Sequence, residues 1–166
     1  MKIIRILKIC ILLSLISLLN QCDHGLELPP LRTGISGTIY FQNWPPADSL
    51  RDLRIVAFRN FPPNDIFTEI TSDPPRAFVY PTIGSNGLLF NVDSIEYVFE
   101  LQPDIYEYIV VAQQYGPDVL ADWQAVGQYN TTLTDSLPSA IEVKQDLLWE
   151  KINIYVDFDH LPIQPF

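Results

Sequence analysis

The 166-residue chain carries ten Lys and Arg against twenty Asp and Glu, a formal charge of −10. A surface this acidic repels phosphate backbones, which proteins bind by neutralising them with Lys and Arg, so nucleic acid is excluded as a partner. Of the two Cys, Cys10 lies inside an N-terminal apolar run whose expected removal leaves one Cys and no internal disulfide, and the two His, at 24 and 160, have no metal-ligand spacing.

Residues 1–8 hold Lys2, Arg5 and Lys8 with no acid, residues 9–19 are an apolar run, and Leu18-Leu19-Asn20-Gln21-Cys22 follows. That order is how a secretory leader reads. A membrane-spanning helix needs about 20 predominantly apolar residues, and here the run is broken by Arg5 and Lys8 even when counted from Ile3. An ordinary leader places small residues before its cut, and Leu19-Asn20-Gln21 offers none. The segment resembles instead a bacterial lipoprotein signal, with Leu19 three residues before Cys22 and Gln21 where that family usually has Gly, Ala or Ser. The resemblance implies that residues 1–21 are a signal peptide and that Cys22 is the lipidated first residue. The expected location is the bacterial cell envelope, on the outer side of the inner membrane or, the preferred expectation, on the outer membrane. A thioether at Cys22 would also account for an unpaired thiol in an exported chain, and each buried acyl methylene contributes about 0.8 kcal/mol to anchoring. Loss of residues 1–21 leaves seven Lys and Arg against twenty acids, a charge of −13.

Residues 22–33, with Gly25, Pro29 and Pro30, read as a tether, and residues 34–166 fit one domain. Gly34–Gln42 alternates Ile35, Gly37, Ile39 and Phe41 against Ser36, Thr38 and Tyr40, as a half-buried strand does. Residues 52–60 are apolar on both faces, Leu53, Ile55 and Ala57 against Val56 and Phe58, as expected of a central strand. The long connection 61–91, rich in Pro, predicts short extra strands at 76–80 and 88–91. Residues 94–101 place Ile95, Tyr97, Phe99 and Leu101 on one side. Pro103 and Asp104 suit the centre of a type I turn, so residues 106–114 are expected to return as the second strand of a hairpin. A short helix is predicted over 117–125. Strands follow at 123–130, 140–144 and 151–158, the last with Ile152, Ile154, Val156 and Phe158 inward. About seven strands with little helical periodicity predict an all-β, antiparallel Greek-key sandwich.

The series Ile35-Ser36-Gly37-Thr38-Ile39, then 53–58, then Leu101-Gln102-Pro103-Asp104-Ile105-Tyr106, resembles the carboxypeptidase regulatory-like domains, whose fold is a transthyretin-like (prealbumin-like) sandwich. Their opening strand reads I-x-G-x-V and a later one ends in L-x-P-G-x-Y; Pro103 and Tyr106 match, with Asp104 in place of the Gly. The resemblance implies a structural or adhesive envelope module without catalytic residues. It does not extend to the transthyretin-like hydrolase of urate breakdown, which needs histidines and a C-terminal Tyr-Arg-Gly-Ser, where this chain ends Leu161-Pro162-Ile163-Gln164-Pro165-Phe166.

Chemistry-bearing motifs are scarce. There is no G-x-S-x-G elbow for a serine nucleophile, and Gly84-Ser85-Asn86-Gly87 lacks the Lys and helix of a phosphate-binding loop. The expected role is therefore non-catalytic and without cofactor: an accessory, scaffold or protein-interaction module touching envelope protein or polysaccharide, joined to the membrane by its lipid. The alternative is a carbohydrate or calcium binder. Trp44, Trp123 and Tyr129 are its candidate aromatic platform, against the plainer reading that loop tryptophans close a core. Asp157 and Asp159 are its candidate calcium carboxylates, although calcium takes about six or more oxygen ligands, so no metal site is assigned.

Overall fold

Strands apolar on one face and strands apolar on both go to different sheets. The first kind, β1 (Gly34–Gln42), β4 (Ser94–Glu100) and β10 (Ile154–Asp157), lie abreast in the order β10-β1-β4. The two-residue β9 (Leu148–Trp149) pairs with the same edge of β1 ahead of β10. The second kind, β2 (Asp52–Phe58) and β6 (Tyr108–Gln114), form the centre of another sheet, between β3 (Ala77–Tyr80) and β7 (Trp123–Gln128). A short ribbon joins β5 (Asp104–Tyr106) to β8 (Ile141–Val143). The computed structural model describes residues 30–132 and 136–166, of which 31–166 form one compact unit.

The inner faces of the two sheets pack into one core that includes Ile35, Ile39, Phe99, Ile154, Leu53, Ile55 and Ile109. Across the second sheet lies another apolar cluster, Val56, Phe58, Tyr108 and Val110. It is covered by Ile66 and Ile70 of the helix α1 (Ile66–Thr71) and by Phe166. This double cover is why β2 and β6 are apolar on both sides. The chain is an all-β sandwich, as the alternation predicts. Its second sheet is wholly antiparallel, while in the first β10 runs parallel to β1 and β4 antiparallel.

Three sequence expectations need correction. Residues 94–101 and 106–114 do not form a hairpin: β4 pairs with β1, whereas β6 pairs with β2 and β7. The Gln102-Pro103-Asp104-Ile105 segment is instead a corner between sheets. Tyr106 is fully buried there, its hydroxyl donates to the Gln102 carbonyl oxygen at 3.1 Å, and Asp104 pairs with Arg59 at 2.8 Å. Tyrosines that bond the backbone a few residues upstream hold such corners in other sandwiches. Residues 117–125 are not a helix either. The Asp118 side chain accepts from the Leu120 amide, a local bond that competes with helical pairing, and after one turn Trp123 opens β7. Residues 76–80 supply β3, but 88–91 form no strand; there Leu88 alone donates its amide to the Leu53 carbonyl.

α1 was not legible as periodicity because it has six residues. Its local signal is the cap: Asp65 accepts from the Thr68 amide at 2.7 Å. Glu69, with no exposed side-chain surface, accepts from the Asn64 amide at 3.0 Å and the Asn64 side chain at 2.8 Å, and lies 2.7 Å from Arg76 Nε.

Candidate functional site

The residues singled out in the sequence go to separate places. Trp44 is half-buried at one end of the core, its ring 4.7 Å from Phe41 and 4.8 Å from Phe158, and its Nε1 donates to the Val92 carbonyl. Trp123 packs against the cluster on the far side of the second sheet and lines a cavity of about 250 Å³ with Ile66, Ile70 and Val79. Tyr129 packs on the inter-sheet core. The structure does not bring the three together, because Trp44 and Tyr129 lie on one side of the second sheet and Trp123 on the other. Cys22 and His24 lie outside the described residues.

Asp157 is engaged within the chain. One oxygen accepts from Asn43 and the Asp159 amide, the other from Gln42 and lies 2.9 Å from His160 Nδ1. The bonds from Asn43 and His160 are the main reason its carboxyl sits at about 2. A carboxylate already bonded on both oxygens is poorly placed to serve a cation. Among the described residues no group of three or more His, Cys, Asp or Glu could hold a metal ion, and no helix is long and apolar enough to cross a membrane.

What the sequence did not reveal is a mismatch between the sheets. β10 packs against β7 at one side of the sandwich, so three strands abreast face four, and the surplus falls at the other side, over β3. There, among the described residues, β3 and β4 are both edge strands. Between them, and round the edge of β3 as far as Ile70 of α1, opens a cleft of about 780 Å³, lined also by Phe78, Tyr80, Ile83, Val98 and Phe99. Phe78 and Tyr80, pointing inward from β3, are only partly covered by the core, and Tyr80 rests on Phe99 at 5.5 Å. An apolar cleft rimmed by a few polar groups is the usual form of a binding site.

A second surface lies on the outer face of the first sheet. Tyr40 and Tyr155, neighbours across the parallel β1–β10 pair, stack at 5.1 Å and stay 41% and 52% exposed. Next to them the chain bulges between β9 and β10, shifting register on β1 by one residue, with Lys151 in the left-handed region at φ 63°. Asn153 replaces a backbone partner there, its Oδ1 accepting from the Thr38 amide at 3.0 Å. Bulges of this kind re-aim side chains beside functional sites. No protein-family model, curated protein or solved structure matches the chain.

Proposed function

We propose that this chain is a lipid-anchored bacterial envelope protein whose sandwich acts, without catalytic machinery, as an accessory or scaffold module that binds another envelope component. The observation that carries the binding half is the apolar cleft left where three strands meet four. The anchoring half rests on the charged, then apolar, leader ending at Cys22 and its resemblance to a bacterial lipoprotein signal, and the non-catalytic module half on the resemblance of residues 35–39, 53–58 and 101–106 to carboxypeptidase regulatory-like domains. Metabolic labelling with a palmitate analogue is expected to mark the protein and to fail in Cys22→Ala; persistent label in that variant refutes the anchor. A photo-crosslinker at Ile83, exposed on the cleft, is expected to capture a partner in intact cells. Equal capture from Leu161, away from the cleft, would count against the cleft as the binding surface.

A second reading is favoured by the Tyr40–Tyr155 stack. Exposed aromatic faces beside an amide side chain suit a sugar ring, which stacks on the aromatic and bonds its hydroxyls to the amide. Thermal melts against envelope oligosaccharides would reveal it, since a ligand at one hundred times Kd stabilises by about 2.7 kcal/mol. A sugar-dependent rise lost in Tyr155→Ala would promote the carbohydrate reading.

A further inference from the structure

We infer that the cleft between β3 and β4 takes an extended strand of a partner protein in which Lys or Arg alternates with apolar residues; this rests on the reading of the domain as an interaction module. The Leu101 amide donates to the Thr33 carbonyl and the Phe41 amide to the Asp93 carbonyl, and between these two contacts β4 runs antiparallel to β1 with Phe99 opposite Ile35 and Tyr97 opposite Gly37. In an antiparallel ladder residues alternate between bonding their neighbour and facing away. Ile95, Tyr97 and Phe99 therefore bond β1, and Ser94, Glu96, Val98 and Glu100 turn their amides and carbonyls to the open edge. No described strand pairs with that edge. A strand added there occupies the fourth place of the first sheet, opposite β3.

The side chains fix what such a strand must be. Its inward residues drop onto Phe78, Tyr80 and Phe99 and into the apolar cleft, so they are apolar. Its outward residues stand beside Glu96 and Glu100, which are exposed and make no ion pair among the described residues. Among the described residues lining the cleft the charged ones are Arg32 and Glu100, and Glu96 stands beside Glu150 and Lys151 in the adjoining hollow; the direct neighbours of the added strand on that face of β4, Glu96 and Glu100, are both acids. Opposite charges on facing strands attract and like charges repel. A second copy of this chain is disfavoured by the same acids, because joining two β4 edges brings four of them onto one face. Acidic side chains on an edge ordinarily guard against self-pairing; here they also leave the edge open to a basic strand. Strand addition of this kind takes its affinity from main-chain bonds and its specificity from alternate side chains.

The test uses the full-length chain in detergent and a fluorescent nine-residue peptide alternating Lys with Ile and Val. Fluorescence anisotropy is expected to show saturable binding that weakens with added salt. The same residues in blocked rather than alternating order, or Glu in place of Lys, should bind at least tenfold more weakly. Reversing the rim in Glu96→Lys/Glu100→Lys should weaken the Lys peptide by about tenfold and admit the Glu peptide. Val98→Pro removes an edge amide that bonds nothing on β1, and should abolish binding of either peptide; the charge-reversed pair, both exposed, serves if the proline variant does not fold. Equal binding of Lys and Glu peptides, or Lys-peptide binding unchanged by charge reversal, overturns the inference. So does self-association lost in Val98→Pro, which would give the edge to a second copy. So does peptide binding that appears only after Leu26→Ser/Leu28→Ser, which would give the cleft to the chain's own N-terminal segment. If the alternating peptide fails while crosslinking from Ile83 still captures a partner, this inference falls and the interaction-module reading stands.

Discussion

Glu69 shows how a single side chain holds the most irregular part of the molecule. Burial pushes its carboxyl upward, but the Asn64 amide and side chain, Asn60 and the Arg76 cation outweigh that and hold it below the ordinary glutamate range. Its Oε1 gathers the Asn64 bonds and its backbone joins Arg76, tying α1 to the start of β3. Removing one member of a buried hydrogen-bonded set leaves its partners unsatisfied, at about 1–3 kcal/mol. Glu69→Ala is expected to lower stability by that amount in urea unfolding; a change under about 0.5 kcal/mol would mean the network is dispensable. The pH dependence has a definite sign. For Glu69 and Asp157 the folded carboxyl lies below its ordinary value, so the unfolded chain binds more protons and stability rises with pH across that range. The contribution is complete above ordinary carboxylate values and is lost as pH falls toward about 2, where Asp157 titrates. Urea midpoints measured from pH 6 to pH 2 should fall on the acid side, and less steeply in a Glu69→Gln/Asp157→Asn variant. In the core, Phe99→Ala should cost about 3–5 kcal/mol if the ring is fully packed, the position being 4% exposed.

At the scale of the element, two glycines and one tyrosine decide how the strands meet. A Cβ on Gly37 would fall on the Ile152 carbonyl oxygen, and one on Gly127 would lie 2.6 Å from the Tyr155 carbonyl oxygen. Both contacts are backbone against backbone, where nothing flexible can yield. They let the segment just ahead of β10 settle against β1 and let β10 approach β7, which closes that side of the sandwich and leaves the opening at β3 and β4. Gly127→Ala is expected to cost about 1–3 kcal/mol, as overpacking does, read as a lower urea midpoint. Tyr106→Phe removes the bond to Gln102 and should cost about 1 kcal/mol. The alternation of 34–42, 94–101 and 151–158 named the buried face of each strand correctly: Ile39, Phe99 and Ile154 are all in the core. The neighbour of each strand was not legible. Pro103 and Asp104 suit a hairpin turn and a sheet-to-sheet corner alike, and only the burial of Tyr106 and the apolarity of both faces of β6 send the chain across. The candidate site was less legible still. Tyr40 and Tyr155 are 115 residues apart in sequence and meet through a parallel pairing that no local pattern announces, whereas Trp44 and Trp123, conspicuous in sequence, are held by packing and by bonds to Val92 and Val119.

For the molecule as a whole, one inter-sheet core running through both sheets predicts a single cooperative transition with sheet-dominated circular dichroism. Two separated transitions would show that the cluster beneath α1 and Phe166 melts on its own. By itself the sequence determined the class of the fold, the inward face of most strands and the acidity of the surface, because side-chain alternation and charge are local properties of a chain. It also determined the expectation of a lipid anchor, which rests on consecutive residues from 2 to 22. Tertiary structure alone decided that three strands face four, that β4 keeps an edge unpaired among the described residues beside an apolar cleft, and that Trp44 and Trp123 are packed apart. Those facts depend on which strands become neighbours, and that choice is made by long-range burial, in which residues more than a hundred positions apart compete for the same face.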